Sequence, residues 1–113
     1  MSKSYRDLIV WQQAFLITEE VYKLTQKLPS SERFGLISQL QRCAVSIPSN
    51  IAEGQQRNGP KEFKQFLGIA RGSAAELSTQ LLLVNKIYSI ETNDLVERIE
   101  GVQKMLFALQ AKL

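Results

Sequence analysis

Four stretches of this chain repeat one spacing of apolar residues, alternately four and three apart. The first is Val10, Ala14, Ile17, Val21, Leu24, Leu28, and the second Ile37, Leu40, Ala44, Ile47, Ile51. The third is Phe63, Leu67, Ala70, Ala74, Leu77, Leu81, Val84, Tyr88, and the fourth Leu95, Ile99, Val102, Leu106, Leu109, Leu113. An average period of about 3.5 residues holds one seam of a helix toward a partner helix. Four such seams in 113 residues satisfy one another in an all-α, antiparallel, up-down-up-down four-helix bundle. The chain is long enough to bury that core as one domain without disulfides or metal.

Punctuation between the seams sets the expected boundaries, about 8–27, 31–55, 61–89 and 93–112. The first helix stops before Pro29, because the residue preceding a proline avoids the α region. Pro29-Ser30-Ser31 then offers a turn and a serine N-cap for the second. Pro48 falls inside the second helix, removes the hydrogen bond to the Ala44 carbonyl and predicts a kink near that point. Gln55-Gln56-Arg57-Asn58-Gly59 reads as a loop, Pro60 suits the first position of the third helix, and Thr92-Asn93-Asp94 caps the fourth. All connections are short, as antiparallel neighbours require.

Several chemistries lack their residues. The chain has no histidine and one cysteine, Cys43, which leaves no zinc site, no Cys-His nucleophile and no internal disulfide. Its glycines match neither a phosphate-binding loop nor a dinucleotide fingerprint, and its carboxylates form no convergent pair. A non-enzymatic protein without cofactor or metal is expected. No leader is legible between Met1 and Leu8, and no apolar run approaches the roughly 18–20 residues that span a bilayer. With its single cysteine, the protein reads as cytoplasmic and free of membrane.

The net charge of +3 is unevenly placed. Residues 33–71 hold six basic side chains against two acidic ones, whereas the segments before and after are neutral and slightly acidic. Arg42, Arg57, Lys61, Lys64 and Arg71 are the candidate phosphate contacts of a basic track on the second and third helices, for RNA or DNA. The competing reading pairs Arg42 or Arg71 with Glu53 or Glu76 on a solvated surface. Opposite the core seam of the third helix lie Gly68, Gly72, Ala75, Thr79 and Leu82. Mid-helix glycines cost about 1 kcal/mol each relative to alanine, so they call for a close neighbour, either a second subunit or another helix of the same bundle. Phe107 and Val96 also leave the fourth seam, and an exposed Phe107 argues for self-association. Trp11, Phe15, Thr18 and Tyr22 flank the first seam, where widening of the core is preferred over base stacking.

Some strings go beyond bundle patterning. Val10-Trp11-Gln12, Val21-Tyr22-Lys23-Leu24-Thr25, and above all Ser46-Ile47-Pro48-Ser49-Asn50-Ile51-Ala52-Glu53-Gly54 resemble the bacterial four-helix-bundle family encoded in intervening sequences of 23S ribosomal RNA genes. Glu62-Phe63, Phe66-Leu67, Ala70-Arg71-Gly72-Ser73 and Glu76-Leu77 continue the resemblance in order along nearly the whole chain. The family name records where some genes sit and assigns no biochemical role. The resemblance implies a homo-oligomer, a pentameric ring in characterised relatives. It extends to the accessory proteins of diversity-generating retroelements, which are basic pentamers that bind nucleic acid and associate with a reverse transcriptase. Together these imply an oligomeric accessory protein for RNA or DNA. The alternative is a protein-interaction scaffold with no nucleic-acid ligand.

Overall fold

The computed structural model describes residues 4–113; residues 1–3, which open the stretch read above for a leader, lie outside them. The described chain forms α1 (Ile9–Thr25), α2 (Leu36–Gln55), α3 (Pro60–Tyr88) and α4 (Asn93–Ala111), with short 3-10 turns at Tyr5–Asp7 and Ser30–Glu32. Each helix packs on the next, and α4 returns to α1, which closes a square. Residues in contact run in opposite senses along each successive pair. Thr18 meets Ala44 while Thr25 meets Gln41; Cys43 meets Ser73 while Gly54 faces Phe63 and Phe66; Leu81 meets Thr92 while Arg71 meets Gln110. Neighbouring helices are therefore antiparallel. The molecule measures 43 × 23 × 19 Å, and its long axis matches α3, 29 residues rising about 1.5 Å each.

The four seams meet in one core. Every residue of the first is buried, as are Leu40, Ala44, Ile47 and Ile51 of the second. Leu67 to Val84 of the third and Leu95 to Leu106 of the fourth follow suit. Ile37, Phe63, Tyr88 and Leu109 close the ends as half-buried caps, and Leu113 lies outside, beyond the last turn of α4. Each fully buried leucine or isoleucine contributes about 1.5–3 kcal/mol through the water it excludes. Val96, expected away from the seam, is half-buried against this core.

Three helix ends depart from the sequence expectation. First, α1 stops at Thr25 rather than Lys27, because the amides of Gln26, Lys27 and Leu28 reach back only three residues as the chain tightens into Pro29. Second, α2 begins at Leu36, not at the Ser31 cap. Ser30–Glu32 winds as a separate turn, and the Glu32 carboxylate accepts the Leu36 amide at 3.2 Å. A carboxylate at a helix N-terminus also meets the positive end of the dipole, so it outcompetes the serine. Third, Thr92 sits at the N-cap of α4 without capping it: its buried hydroxyl donates inward to the Leu81 carbonyl at 3.0 Å, and Glu91 accepts the Asn93 amide instead.

Glu32 does more than cap. Its second carboxylate oxygen accepts the Tyr88 hydroxyl, tying the start of α2 to the end of α3. That bond, followed by the Leu36 amide, holds the Glu32 carboxyl below its ordinary pKa, and the same bond holds Tyr88 above its own. A lowered acid pKa gives stability that is present above the unfolded value and lost as pH falls through the folded one. A raised tyrosine pKa gives stability that is present below the unfolded value and lost as pH rises through the folded one. Glu32→Gln should therefore flatten the acid limb of a Tm-against-pH profile, below the ordinary glutamate range, and leave mid-pH behaviour similar in shape. An unchanged acid limb would remove Glu32 from the linkage.

Helix α2 runs unbroken through Pro48. Proline leaves the Ala44 carbonyl without its helical donor. Thr18 of α1 offers one that it shares: its single hydroxyl proton lies between that oxygen, at 3.0 Å, and the Ala14 carbonyl of its own helix, at 2.8 Å. Thr18→Val, which keeps the shape but loses the donor, should lower stability in urea by about 1–2 kcal/mol. Thr18→Ser should retain most of it.

Candidate nucleic-acid and self-association surfaces

The five candidate phosphate contacts do not share one track. Arg57, Lys61 and Lys64 gather at the α2–α3 turn, where Gly59 takes φ +117° and lets the chain reverse before Pro60. Lys61 and Lys64 are exposed and make no ion pair with another described residue. Arg57 is committed locally: it bonds Glu53 at 2.6 Å and lies over the Phe66 ring at 5.1 Å. Both partners of that pair are half exposed, so it contributes little to stability. Arg42 lies mid-way along the outer face of α2, exposed and unpaired among the described residues. Arg71 faces the other way. It bonds Gln110 of α4 at 2.8 Å and stacks over Phe107 at 5.0 Å. Neither Arg42 nor Arg71 pairs with Glu53 or Glu76; a glutamine 39 residues downstream holds Arg71 instead.

The small-residue face of α3 divides in two. At Gly68 the Gln110 amide nitrogen of α4 lies 3.3 Å from where a Cβ would stand, so this glycine serves packing within the bundle. At Gly72 nothing lies within 4 Å. Ala75, Thr79 and Leu82 are exposed beyond it, and Phe107 of α4, with Arg71 over its ring, is 60% exposed. Ile69, Leu83 and Ile87 add further exposed apolar surface to α3. At 100° per residue, Lys61, Lys64, Arg71 and the whole run Gly68–Leu82 fall within a sector of about 100°. Lys61 and Lys64 occupy the first turns of that sector, Arg71 interrupts it between Gly68 and Gly72, and small or apolar side chains fill the rest. About 16 Å of helix separates Lys61 from Gly72.

The aromatic stripe of α1 also divides. Trp11 packs half-buried against the core, in edge contact with Tyr5 and tilted on Phe15. Phe15 and Tyr22, expected to widen the core, are instead 53% and 43% exposed. They stand along the open groove between α1 and α2, exposed rather than covered. Arg33 and Phe34, which sequence reasoning passed over, lie at the same groove, and Phe34 is 89% exposed.

Cys43 is buried on the α2 side facing α3, its thiol 3.0 Å from the Ser73 carbonyl. Burial, reinforced by the nearby Glu76 carboxylate, pushes its pKa up to about 12. The thiolate population at neutral pH is then roughly a thousandfold below that of a free cysteine. Ellman's reagent should accordingly label the folded protein at least a hundred times more slowly than the protein in urea. Comparable rates would mean that α2 and α3 part readily at this level. Among the described residues no group of three or more His, Cys, Asp or Glu side chains could hold a metal ion, and no helix is long and apolar enough to cross a membrane.

The sequence model of the 23S rRNA-intervening sequence protein family matches residues 6–108, which takes in all but the last turn of the bundle. The chain belongs to this family. No curated protein matches it. In this member of the 23S rRNA-intervening sequence family, the segment Ser46–Gly54 is an interhelix fastening. The Ser46 hydroxyl bonds that of Ser73 at 2.8 Å, and the Asn50 amide returns to Ser46 at 2.7 and 3.0 Å. Pro48 is buried and hands the Ala44 carbonyl to Thr18. Gly54 admits α3, for a Cβ there would stand 2.6 Å from the Phe66 Cβ.

Proposed function

We propose that the protein is a non-enzymatic, cytoplasmic homo-oligomer that binds RNA or DNA as an accessory protein. The observation that carries the reading is the division of the outer face of α3, with Lys61 and Lys64, unpaired among the described residues, at one end and the uncovered Gly72–Leu82 stripe beyond Arg71. The stripe suits a second subunit, because Gly72 has no neighbour in its own bundle. The lysines then remain outside the contact and recur once per subunit. In a pentameric ring, the assembly that the resemblance implies, five copies of +3 give +15. Repetition turns individually weak phosphate contacts into useful avidity. A reverse transcriptase is the protein partner that the likeness to retroelement accessory proteins suggests.

The test is binding of a fluorescein-labelled RNA hairpin by anisotropy at low salt. Charge reversal of Lys61 and Lys64 to glutamate should weaken binding at least tenfold without changing the assembly's mass. Unchanged affinity would overturn the assignment of these lysines. A second reading, an interaction scaffold without nucleic acid, is favoured by Ile69, Leu83 and Ile87, each between 44% and 58% exposed on α3. It expects no hairpin binding by the wild type at all.

A further inference from the structure

The groove between α1 and α2 differs in chemistry from the other grooves of the bundle. It is an open cleft of about 810 Å³, lined by two aromatic side chains, Tyr22 and Phe34, two arginines, Arg33 and Arg42, and the hydroxyls of Ser38 and Ser49 among others. None of the residues lining this end of the groove is acidic; Glu19 enters only further along, beside Phe15. The α2–α3 groove shares Arg42 and Phe34 but sets Glu76 against them, and the α1–α4 groove mixes Lys23 and Lys27 with Glu20, Glu91 and Asp94. A cleft with cations, exposed ring faces and no carboxylate complements a ligand that carries both negative charge and flat apolar faces.

We propose that this groove binds a single-stranded segment of nucleic acid, with bases stacking on Phe34 and Tyr22 and phosphates held by Arg33 and Arg42. Exposed aromatic faces are tolerant stacking platforms, and arginines beside them track the backbone. Phe34 is suited to this role because it is 89% exposed, with the Arg33 guanidinium over its ring at 5.5 Å. Its side chain makes almost no contact that folding needs. A duplex keeps its bases stacked inside and has no face to offer these rings. The groove therefore selects unpaired nucleotides, whereas Lys61 and Lys64, 19 or more residues beyond Arg42 along the chain and on another helix, contact phosphates of either form. The inference rests on the nucleic-acid reading above and adds the form of the ligand and the residues that select it.

The experiment compares two fluorescein-labelled probes on the full chain at low salt, a twelve-nucleotide oligothymidine and a twelve-base-pair DNA duplex. The variants are Phe34→Ala, Arg42→Gln and Lys64→Gln. Wild type should bind the single strand more tightly than the duplex. Phe34→Ala and Arg42→Gln should each weaken the single strand about tenfold and leave the duplex within twofold, while Lys64→Gln weakens both alike. Equal binding of the probes, with Phe34→Ala silent and Lys64→Gln effective, would overturn the groove and leave the nucleic-acid reading standing. No binding of either probe would overturn both. Sedimentation of Phe34→Ala supplies the remaining check: an altered assembly mass would make the groove a contact between copies of the chain and overturn the proposal.

Discussion

Gly54→Leu should be among the most damaging single substitutions on the bundle. A Cβ at position 54 would stand 2.6 Å from the Phe66 Cβ, 3.0 Å from the Phe63 ring and 3.4 Å from the Phe63 carbonyl oxygen. The nearest of these is the root of a side chain, fixed to the α3 backbone, which cannot swing aside as the tip of a lysine does. Even Gly54→Ala, which gains about 1 kcal/mol of helix propensity, meets an overpacking penalty of about 1–3 kcal/mol. Leucine adds three more carbons to the same gap and should exceed that range. Since single domains hold only about 5–15 kcal/mol in total, Gly54→Leu should shift the urea midpoint far down or separate α2 from α3 outright. A midpoint like that of wild type would mean that the two helices do not approach closely there.

Gly72→Leu should do the opposite to the fold and the most to the assembly. Nothing lies within 4 Å of its Cβ position, so leucine meets no clash inside the subunit and gains up to about 1 kcal/mol of helix propensity. If the uncovered stripe is the subunit contact, the same side chain wedges the contact apart. The expected result is a variant at least as resistant to urea as wild type that sediments as a smaller species. A variant of unchanged mass would place the contact elsewhere, with the Ile69, Leu83 and Ile87 stripe the next face to test. The contrast between positions 54 and 72 separates fold from assembly within one residue type.

The core was legible because burial on a helix has a period, and residues spaced four and three apart disclose it without knowledge of any partner. Val10 to Leu28 and Leu67 to Val84 follow that period into the core without exception. Flanking positions were not legible in the same way. Phe15 and Trp11 sit on the same side of α1, yet one lines an open groove and the other packs on the core, and periodicity within one helix does not distinguish them. Pro48 announced a freed carbonyl, but its donor, Thr18, lies 26 residues upstream on another helix. Glu32 replaced the expected serine cap because its longer side chain serves Leu36 and Tyr88 together.

The candidate site was legible as composition more than as geometry. The basic excess of residues 33–71 was plain, but the helical turns that carry it point Arg42 and Arg71 to different sides of the bundle. Arg71 looked like a free phosphate ligand until Gln110 and Phe107 came in from α4. The groove around Phe34 left no periodic trace, since Arg33 and Phe34 fall in the short link between the Ser30–Glu32 turn and α2.

The measurement that bears most directly on the account is the salt dependence of wild-type binding to the labelled RNA hairpin, with the assembly's mass fixed by sedimentation at each salt. Phosphate contacts release counterions, so the logarithm of the affinity should fall linearly with that of salt, by close to one unit of slope for each contact. A steep line, with a slope of several units from an oligomer that stays intact, is the result expected of a ring that repeats the Lys61–Lys64 end of α3. No binding at low salt, or binding indifferent to salt, would contradict the nucleic-acid role and leave the exposed apolar stripes of α3 as a docking surface for protein.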